Sequence, residues 1–423
     1  MSLTCSITLS LLDKEVKHMP KLKGNLLIGQ SGGPTPVINA SLAGVLSEAK
    51  KIPEIEKIYG MKNGIEGALN KEVYDLTQEP EDLVKKLLYT PASVLGSCRH
   101  KLSKDEEYEQ LLDLFKANNI RYFVYIGGND SMDTCHKISK LAQERNYDMQ
   151  VVGVPKTIDN DLPITDHCPG FGSAARFVAL STIESGRDLE AMKTFDDVAI
   201  FEIMGRHAGW LTAASVLGKR CDEDAPHLVY LPERNFDEVQ FLADVKAVYD
   251  KLGYVYVALS EGVRDKDGEF IGAKDAATDA FGHKAISLSD GPGAYLAKLI
   301  KEKLGIKTRV NRPGTIQRAM AALASKTDVD EAFRAGQAAV EYFSQGITDV
   351  MVTLDRIPGA EYKIEIGKAP LEKVANVENF IPDHFINEAG NFVTKEFFDY
   401  CLPLIGDPIP DYARLVGMSI KLK

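Results

Sequence analysis

The 423-residue chain has no run of 18 apolar residues, so no membrane-spanning helix is expected. Its six cysteines, at positions 5, 98, 135, 168, 221 and 401, form no C-x-x-C pair and fall at irregular spacings. That argues against a disulfide framework and against a thiolate zinc site, and it fits a reduced, cytoplasmic chain. Basic residues are in deficit: 50 Lys and Arg against 61 Asp and Glu leave a net charge of −11. Such a chain is a poor general polyanion binder, which lowers nucleic acid and anionic membrane among its partners. Small phosphorylated ligands stay open, because they need only a few local cations. There is no repeat of fixed period, no Gly/Ser linker and no G-x-x-x-x-G-K-[ST] run, so a P-loop nucleotidase is excluded. The short apolar stretch Ser6–Leu12 has no basic leader and runs into Asp13, Lys14 and Glu15, so no cleaved signal peptide is expected. The opening Met1-Ser2-Leu3 is left out of the fold.

With 44% hydrophobic and 26% charged residues the composition is that of a globular protein, which argues against disorder. The length allows a large core and, at about 150 residues per domain, two to three domains. Short β-rich runs recur at Leu26–Gly29, Tyr122–Gly127, Val151–Pro155, Val198–Met204, Leu228–Leu231, Val255–Ser260 and Val350–Leu354. Stretches of helical period lie between them, among them Ile38–Ala49, Glu106–Asn118 and Asp133–Arg145. Strand alternating with helix predicts an α/β fold with mostly parallel sheets. Arg264–His283 and Pro358–Asn387 read as irregular insertions.

In open α/β sheets ligands sit beyond the carboxyl ends of the strands, so the residues after each strand matter most. After Gly29 come Gln30, Ser31, Gly32, Gly33 and Pro34, then a helix start. Two glycines there allow backbone N–H groups to approach an oxyanion, although a plain tight turn has the same pattern. Gly29–Gly33 also fits G-x-S-x-G, with Ser31 as a hydrolase nucleophile, but too few residues precede it to supply the strands of that fold. After Ile126 come Gly127, Gly128, Asn129, Asp130 and Ser131; Asp and Asn offer oxygens to a hard cation, whereas Ser131 or Asp130 merely capping the next helix is the plainer account. After Pro155 come Lys156, Thr157, Ile158, Asp159, Asn160 and Asp161. Two carboxylates beside a lysine can divide the work of base and metal holder, whereas a polar turn is the plainer account. Gly170–Ala175 fits G-x-G-x-x-A but follows no clear strand, a weak dinucleotide signal. Arg206 ends another strand beside Gly205, Glu261 a further one, and Arg309, Arg312 and Arg318 flank Pro313-Gly314. Arginines so placed can fork to a sugar phosphate, or they are solvated surface charge.

These pieces, in this order, resemble the phosphofructokinase family. The resemblance covers roughly Lys23 to Arg318 through SGGP (31–34), GSCR (96–99), GGND (127–130), PKTIDND (155–161), MGR (204–206), SEG (260–262) and GTIQR (314–318). PKTIDND and MGR are its specific parts; the glycine pairs alone are not. The resemblance implies two Rossmann-like three-layer domains with the active site in the cleft between them. Residues 21–174 plus roughly 317–375 would form the donor domain, 175–316 plus roughly 376–423 the fructose 6-phosphate domain, and 1–20 an N-terminal extension. It implies phosphoryl transfer to the 1-hydroxyl of fructose 6-phosphate, with Mg²⁺ and in a homodimer or homotetramer.

Residue by residue, Asp159 matches the family's base, with Thr157 and Ile158 beside it near the acceptor. Gly32, Gly33 and Gly128 fall on the donor side, and Arg99 matches an arginine facing the transferred phosphoryl. Asp161, with Asn129 and Asp130, falls near the metal. Met204, Gly205, Arg206, Glu261, Arg309, Thr315 and Arg318 match the fructose 6-phosphate side. Asp130 and Lys156 depart from the glycines of ATP-using members and resemble the pyrophosphate-dependent branch. Asp197 stands where ATP-using members often have an arginine that reaches across subunits, which weakens any expectation of allosteric control. The resemblance leaves an ATP-dependent enzyme as the alternative donor reading; a serine hydrolase built on Ser31, or a sugar-phosphate sensor, are the readings from other classes.

Overall fold

The computed structural model describes residues 22–272, 291–415, 420 and 422. Eleven strands run through these residues: β1 (Gly24–Gln30), β2 (Ile55–Met61), β3 (Val73–Asp75), β4 (Ile120–Gly127), β5 (Gln150–Pro155), β6 (Val198–Ile203), β7 (Leu228–Tyr230), β8 (Val255–Ser260), β9 (Thr308–Asn311), β10 (Val350–Arg356) and β11 (Ile364–Pro370). They make a seven-stranded sheet in the order β11-β10-β5-β4-β1-β2-β3 and a four-stranded sheet in the order β7-β8-β6-β9. The smaller sheet is wholly parallel; the larger is parallel except for its edge strands β3 and β11. The expected mostly parallel α/β architecture is what the chain adopts.

Side-chain alternation explains why the central strands read as unbroken apolar runs. Leu26, Ile28, Val124, Ile126, Val152 and Val154 point to one face of the large sheet, under helices Ile38–Ala49 and Lys326–Ser344. Leu27, Phe123, Tyr125 and Val151 point to the other, under helices Asp105–Ala117 and Asn129–Glu144. With both faces covered, every position is apolar. All seven strands expected from such runs are present. Strands β2, β3, β9 and β11 were not expected, because they lie at or near the edges and carry exposed or half-buried positions.

The irregular reading of Pro358–Asn387 is corrected: it holds β11 and the short helix Leu371–Val374. Of Arg264–His283, only 264–272 falls within the described residues, as a loop with an isolated bridge between Arg264 and Phe270. Two helices begin earlier than their apolar period indicates. One starts at Asn129, directly after Gly128, and the other at Phe171, directly after Gly170. The first turn at Asn129 is polar, and that at Phe171 is buried but made mostly of small residues, so neither carries a periodic signal.

Register brings the functional loops level with one another. Gln30 pairs with Ile126 and Gly127 with Pro155 in the large sheet; Ile203 pairs with Ser260 in the small one. The loops after β1, β4 and β5 thus leave together, as do those after β6 and β8.

The helix that follows the first glycine loop is set by backbone contact. A Cβ on Gly44 would lie 2.0 Å from the Phe333 carbonyl oxygen, and one on Gly336 would lie 2.0 Å from that of Ser41. Only glycine at both positions lets helices Ile38–Ala49 and Lys326–Ser344 approach this closely. Gly336→Ala is therefore expected to lower stability by about 1–3 kcal/mol through overpacking. Urea denaturation would measure this, and an unchanged midpoint would mean that the two helices are not in backbone contact.

Candidate active site

The loops at the strand ends enclose a cavity of about 880 Å³. Gly32 and Gly33 line it from the loop after β1, Gly128, Asn129 and Asp130 from that after β4, and Lys156 and Asp161 from that after β5. Arg99 and Lys101 reach it from the segment before β4, and Arg206 enters from the smaller sheet.

Lys156 is the centre of this arrangement. Its side chain is only 4% exposed, and Nζ donates to the Gly33 carbonyl oxygen at 3.0 Å. Gly32 has a left-handed φ of +71°, and a Cβ there would come within 3.3 Å of Nζ. Gly33 lies against Arg318, whose Nη1 would be 2.3 Å from an added Cβ. The two glycines therefore let two cations press on one loop, which a bare tight turn does not require. Burial lowers the Lys156 pKa to about 8, and the carboxylates of Asp161 and Asp159 oppose that fall.

Asp159 and Asp161 form a tightly coupled, half-buried pair. Burial raises the pKa of both. Asp159 is raised further by Asp161 and Glu261, while Lys156 and Arg318 pull it down. For Asp161 the Thr157 hydroxyl opposes the rise and Glu378 adds to it. Thr157 Oγ1 also accepts from the Asp159 backbone N–H at 3.0 Å. Asp159, pushed up to about 7, can take a proton near neutral pH.

Helix Asn129–Glu144 starts at the cavity wall with no side-chain cap, so its first N–H groups and its dipole favour an anion. The reading of Ser131 or Asp130 as a cap is thus not the one realised. Asn129 Nδ2 donates to the Val377 carbonyl at 2.9 Å, and its Oδ1 is buried without a partner. Asp130 Oδ1 is paired with Lys101 Nζ at 2.5 Å.

On the other side, Met204 N–H donates to Gln317 Oε1 at 3.1 Å, and Gly205, with φ at +135°, faces Glu261. Arg206 Nε stands 4.0 Å from Glu261 Oε1. Burial lowers the Arg318 pKa, as does neighbouring Arg99; Asp159 and Glu261 act against this. Arg318 thus lies between the first glycine loop and the carboxylate pair, not beside the sugar-phosphate residues alone.

Of the expected residues, Thr157, Asp159, Met204, Gly205, Glu261 and Arg318 stand behind the lining of this cavity, and Arg309, Thr315 and the Ile158 side chain are turned elsewhere. Arg309 is held by Asp196 at 3.0 Å and Asp188 at 2.8 Å, and lies level with Ala199, near the opposite end of β6 from Met204. Thr315 is exposed on the turn Gly314–Arg318. The Ile158 side chain belongs to the apolar core under the smaller sheet. Arg312 pairs with buried Glu202 at 2.9 Å.

Two competing motifs are explained structurally. At Gly170–Ala175 the Asp328 carboxylate accepts from Gly170 and Ser173 N–H at 2.8 and 2.9 Å, filling the place a dinucleotide phosphate would need. Ser31 hydrogen-bonds the buried Tyr125, and the nearby His100 is bound to Glu107, which leaves no nucleophile–base pair in that loop.

Sequence reasoning missed Lys101, Gln317 and the segment Asn376–Phe380. Lys101 lies two residues past Arg99, and Gln317 lies inside GTIQR, so both could have been found from the motifs. The segment has no periodic signal. It crosses the cavity mouth: Asn376 Nδ2 donates to Asp133 at 3.1 Å, and Asn379 N–H to the Asp161 carbonyl at 2.8 Å. Trp210 Nε1 donates to the Asn379 carbonyl at 3.1 Å, and Glu378 pairs with His207 at 3.4 Å.

The phosphofructokinase family profile matches residues 25–343. The chain belongs to the phosphofructokinase family. It is 42% identical to a pyrophosphate–fructose 6-phosphate 1-phosphotransferase of Xanthomonas campestris pv. campestris, over 95% of this chain and 98% of the relative. Among solved phosphofructokinases, the pyrophosphate-dependent one of Nitrosospira multiformis superposes with a TM-score of 0.83 at 42% identity, covering 95% of this chain and 98% of that one. The pyrophosphate-dependent phosphofructokinase of Marinobacter aquaeolei gives 0.82 at 38%, covering 94% and 98%. No helix among the described residues of this phosphofructokinase is long and apolar enough to cross a membrane.

The half-buried carboxylate pair has a consequence for stability. A raised carboxyl pKa means that the charged form strains the native state. That strain is absent below the ordinary Asp range and grows as pH rises through the raised value. Asp159→Asn should therefore raise stability above neutral pH, by about 1.4 kcal/mol for each unit of pKa elevation, and by nearly nothing at pH 4. Thermal unfolding across pH would show it; a variant less stable than wild type at pH 8 would contradict it.

Proposed function

We propose that the chain is a pyrophosphate–fructose 6-phosphate 1-phosphotransferase. It transfers phosphoryl reversibly from pyrophosphate to the 1-hydroxyl of fructose 6-phosphate, giving fructose 1,6-bisphosphate and phosphate in glycolysis and gluconeogenesis. The observation that carries this reading is the buried Lys156 Nζ, bonded to the first glycine loop and flanked by Asp159 and Asp161, with the Asp130–Lys101 pair beyond it.

Asp159 takes the proton from the 1-hydroxyl. The freed oxygen forms the new O–P bond while the P–O–P bridge breaks, and phosphate leaves. Lys156, Arg99 and Arg318 offset the charge spread over the transferred and leaving groups, which is most of what this chemistry asks of a protein. Gly32, Gly33, Gly128 and the open end of helix Asn129–Glu144 hold the donor oxygens. Thr157, the Ile158 backbone, Met204, Gly205, Arg206 and Glu261 hold the acceptor. Asp130, paired with Lys101, fills the space beyond the second phosphorus, where the α-phosphate of ATP would otherwise lie.

The residues suit Mg²⁺. Asp161, Asp130 and the unpartnered buried Oδ1 of Asn129 offer oxygen only, and magnesium commonly takes few protein ligands beside substrate phosphates. When bound, the ion supplies charge neutralisation across the donor phosphates.

The domain division follows the same reading: residues 21–174 plus roughly 317–375 carry the donor side, and 175–316 plus roughly 376–423 the acceptor side, with 376–381 spanning both. A homodimer or homotetramer completes the protein. Support for it comes from β9, the edge strand of the smaller sheet. Phe195, 62% exposed, and Met192, 42% exposed, lie in the chain entering the neighbouring β6, and Arg309 on β9 is outside this chain's cavity.

Forward rates with each donor test the proposal. Wild type is expected to use pyrophosphate, to lose activity to excess chelator and to show negligible turnover with ATP. Asp159→Asn should lower kcat by about 10²–10⁴-fold with little change in KM. Lys156→Gly should cripple the pyrophosphate reaction, and Asp130→Gly should admit some ATP. Strong wild-type activity with ATP, or a Lys156→Gly enzyme unchanged with pyrophosphate, would overturn the donor assignment.

A further inference from the structure

Asn160 stands between the two carboxylates and lines no part of the cavity. It is 1% exposed and has a left-handed φ of +55°, a conformation that asparagine tolerates better than most residues. Both ends of its amide are engaged. Oδ1 accepts from the Cys168 backbone N–H at 2.9 Å, and Nδ2 donates to the Tyr400 hydroxyl at 3.0 Å. Tyr400 comes from helix Lys395–Cys401, 240 residues away in the chain. Its hydroxyl donates in turn to the Asp166 carbonyl at 2.8 Å, so it ties both ends of the loop that carries the carboxylate pair.

Tyr400 is itself fixed. Its ring packs on Trp210 and Phe385 at centroid distances of 5.4 and 5.5 Å, and the Arg356 guanidinium lies over it at 4.7 Å. Arg356 donates to the Tyr400 carbonyl at 3.0 Å and to Asp166 Oδ2 at 3.0 and 3.1 Å. Asp166 and Glu331 both bind the buried His167, at 2.8 and 2.7 Å. Burial opposes a charge on His167, but these two carboxylates outweigh it and raise its pKa to about 9, so the network stays charged through neutral pH. Burial also holds the Tyr400 phenol far above its ordinary pKa, which keeps it a hydrogen-bond donor. A left-handed turn clamped from a rigid aromatic and ionic cluster fixes where the residues on either side of it point.

We propose that Asn160, clamped by Tyr400, is a positioning residue that aims Asp159 and Asp161 at the acceptor hydroxyl and the donor oxygens. The inference deepens the phosphotransfer reading above and rests on it. A misplacement of the base by a fraction of an ångström slows the chemical step and leaves both substrates their binding contacts.

The test compares wild type, Tyr400→Phe, Asn160→Gly and the double variant, with Phe397→Leu as a control in the same buried cluster. Asn160→Gly keeps the left-handed turn available and removes both amide contacts, to Tyr400 and to the Cys168 N–H. Each single variant is expected to lose about tenfold or more in kcat, with the KM for fructose 6-phosphate and for pyrophosphate within about twofold of wild type. The double variant should be no slower than the slower single one, because both remove the same link. Phe397→Leu should melt earlier and keep its kcat. A single variant with wild-type kcat, losses that multiply in the double variant, or a Phe397→Leu enzyme that slows in step with its melting temperature would each overturn the assignment. If Tyr400→Phe does not fold, Asn160→Gly decides alone: a kcat loss supports the clamp and wild-type kcat refutes it. A wild type that moves no phosphoryl from pyrophosphate overturns the functional reading itself, before any variant is compared.

Discussion

One buried ammonium organises the site. Lys156 is nearly inaccessible to water, and a cation so placed needs partners on every side. Its partners are the Gly33 carbonyl and the two carboxylates of its own loop. Those carboxylates, raised by desolvation, are in turn drawn back toward the charged form by the ammonium. The loop after β1 must therefore carry glycines, to let the ammonium and Arg318 reach it. The loop after β5 must bring Asp159 and Asp161 close despite their mutual repulsion. The strand register that sets β1, β4 and β5 level is what makes the three loops meet.

Much of this was legible in the sequence, and the reason is burial on both faces. A central parallel strand has no polar positions, so Leu26–Gly29, Tyr122–Gly127 and Val151–Pro155 announce themselves, and the polar residues after them stand out. The edge strands β3 and β11 and their neighbour β2 do not, because they carry exposed or half-buried positions. The helix at Asn129 was read late for a related reason: its first turn is polar and has no apolar period. Lys156 and the carboxylate pair could be found from residue type and order. Arg309 could not be placed in this way, since its position at the far end of β6 and its two aspartate partners depend on the tertiary fold.

The segment Asn376–Phe380 has the opposite character. It is polar and without period, yet it is bound through Asp133 and the Asp161 carbonyl on one side and through Trp210 and His207 on the other. Its contacts hold the cavity mouth across both sheets. Backbone groups and amide side chains supply most of them, and that kind of contact has little signature in composition.

The order of strands in the large sheet has a consequence for how the protein is made. Strand β10, which completes the parallel part of that sheet beside β5, is synthesised about 200 residues after it, once the whole smaller sheet has emerged. Until then β5 is an open edge made of apolar residues, directly beneath the loop that carries Lys156, Asp159 and Asp161. A nascent or truncated chain ending before Val350 thus exposes a ready template for pairing with another chain. Long-range closure of this kind is intrinsically slow. The last third of the polypeptide, which contributes few residues to the chemistry, therefore decides whether the first two thirds stay monomeric long enough to become an enzyme.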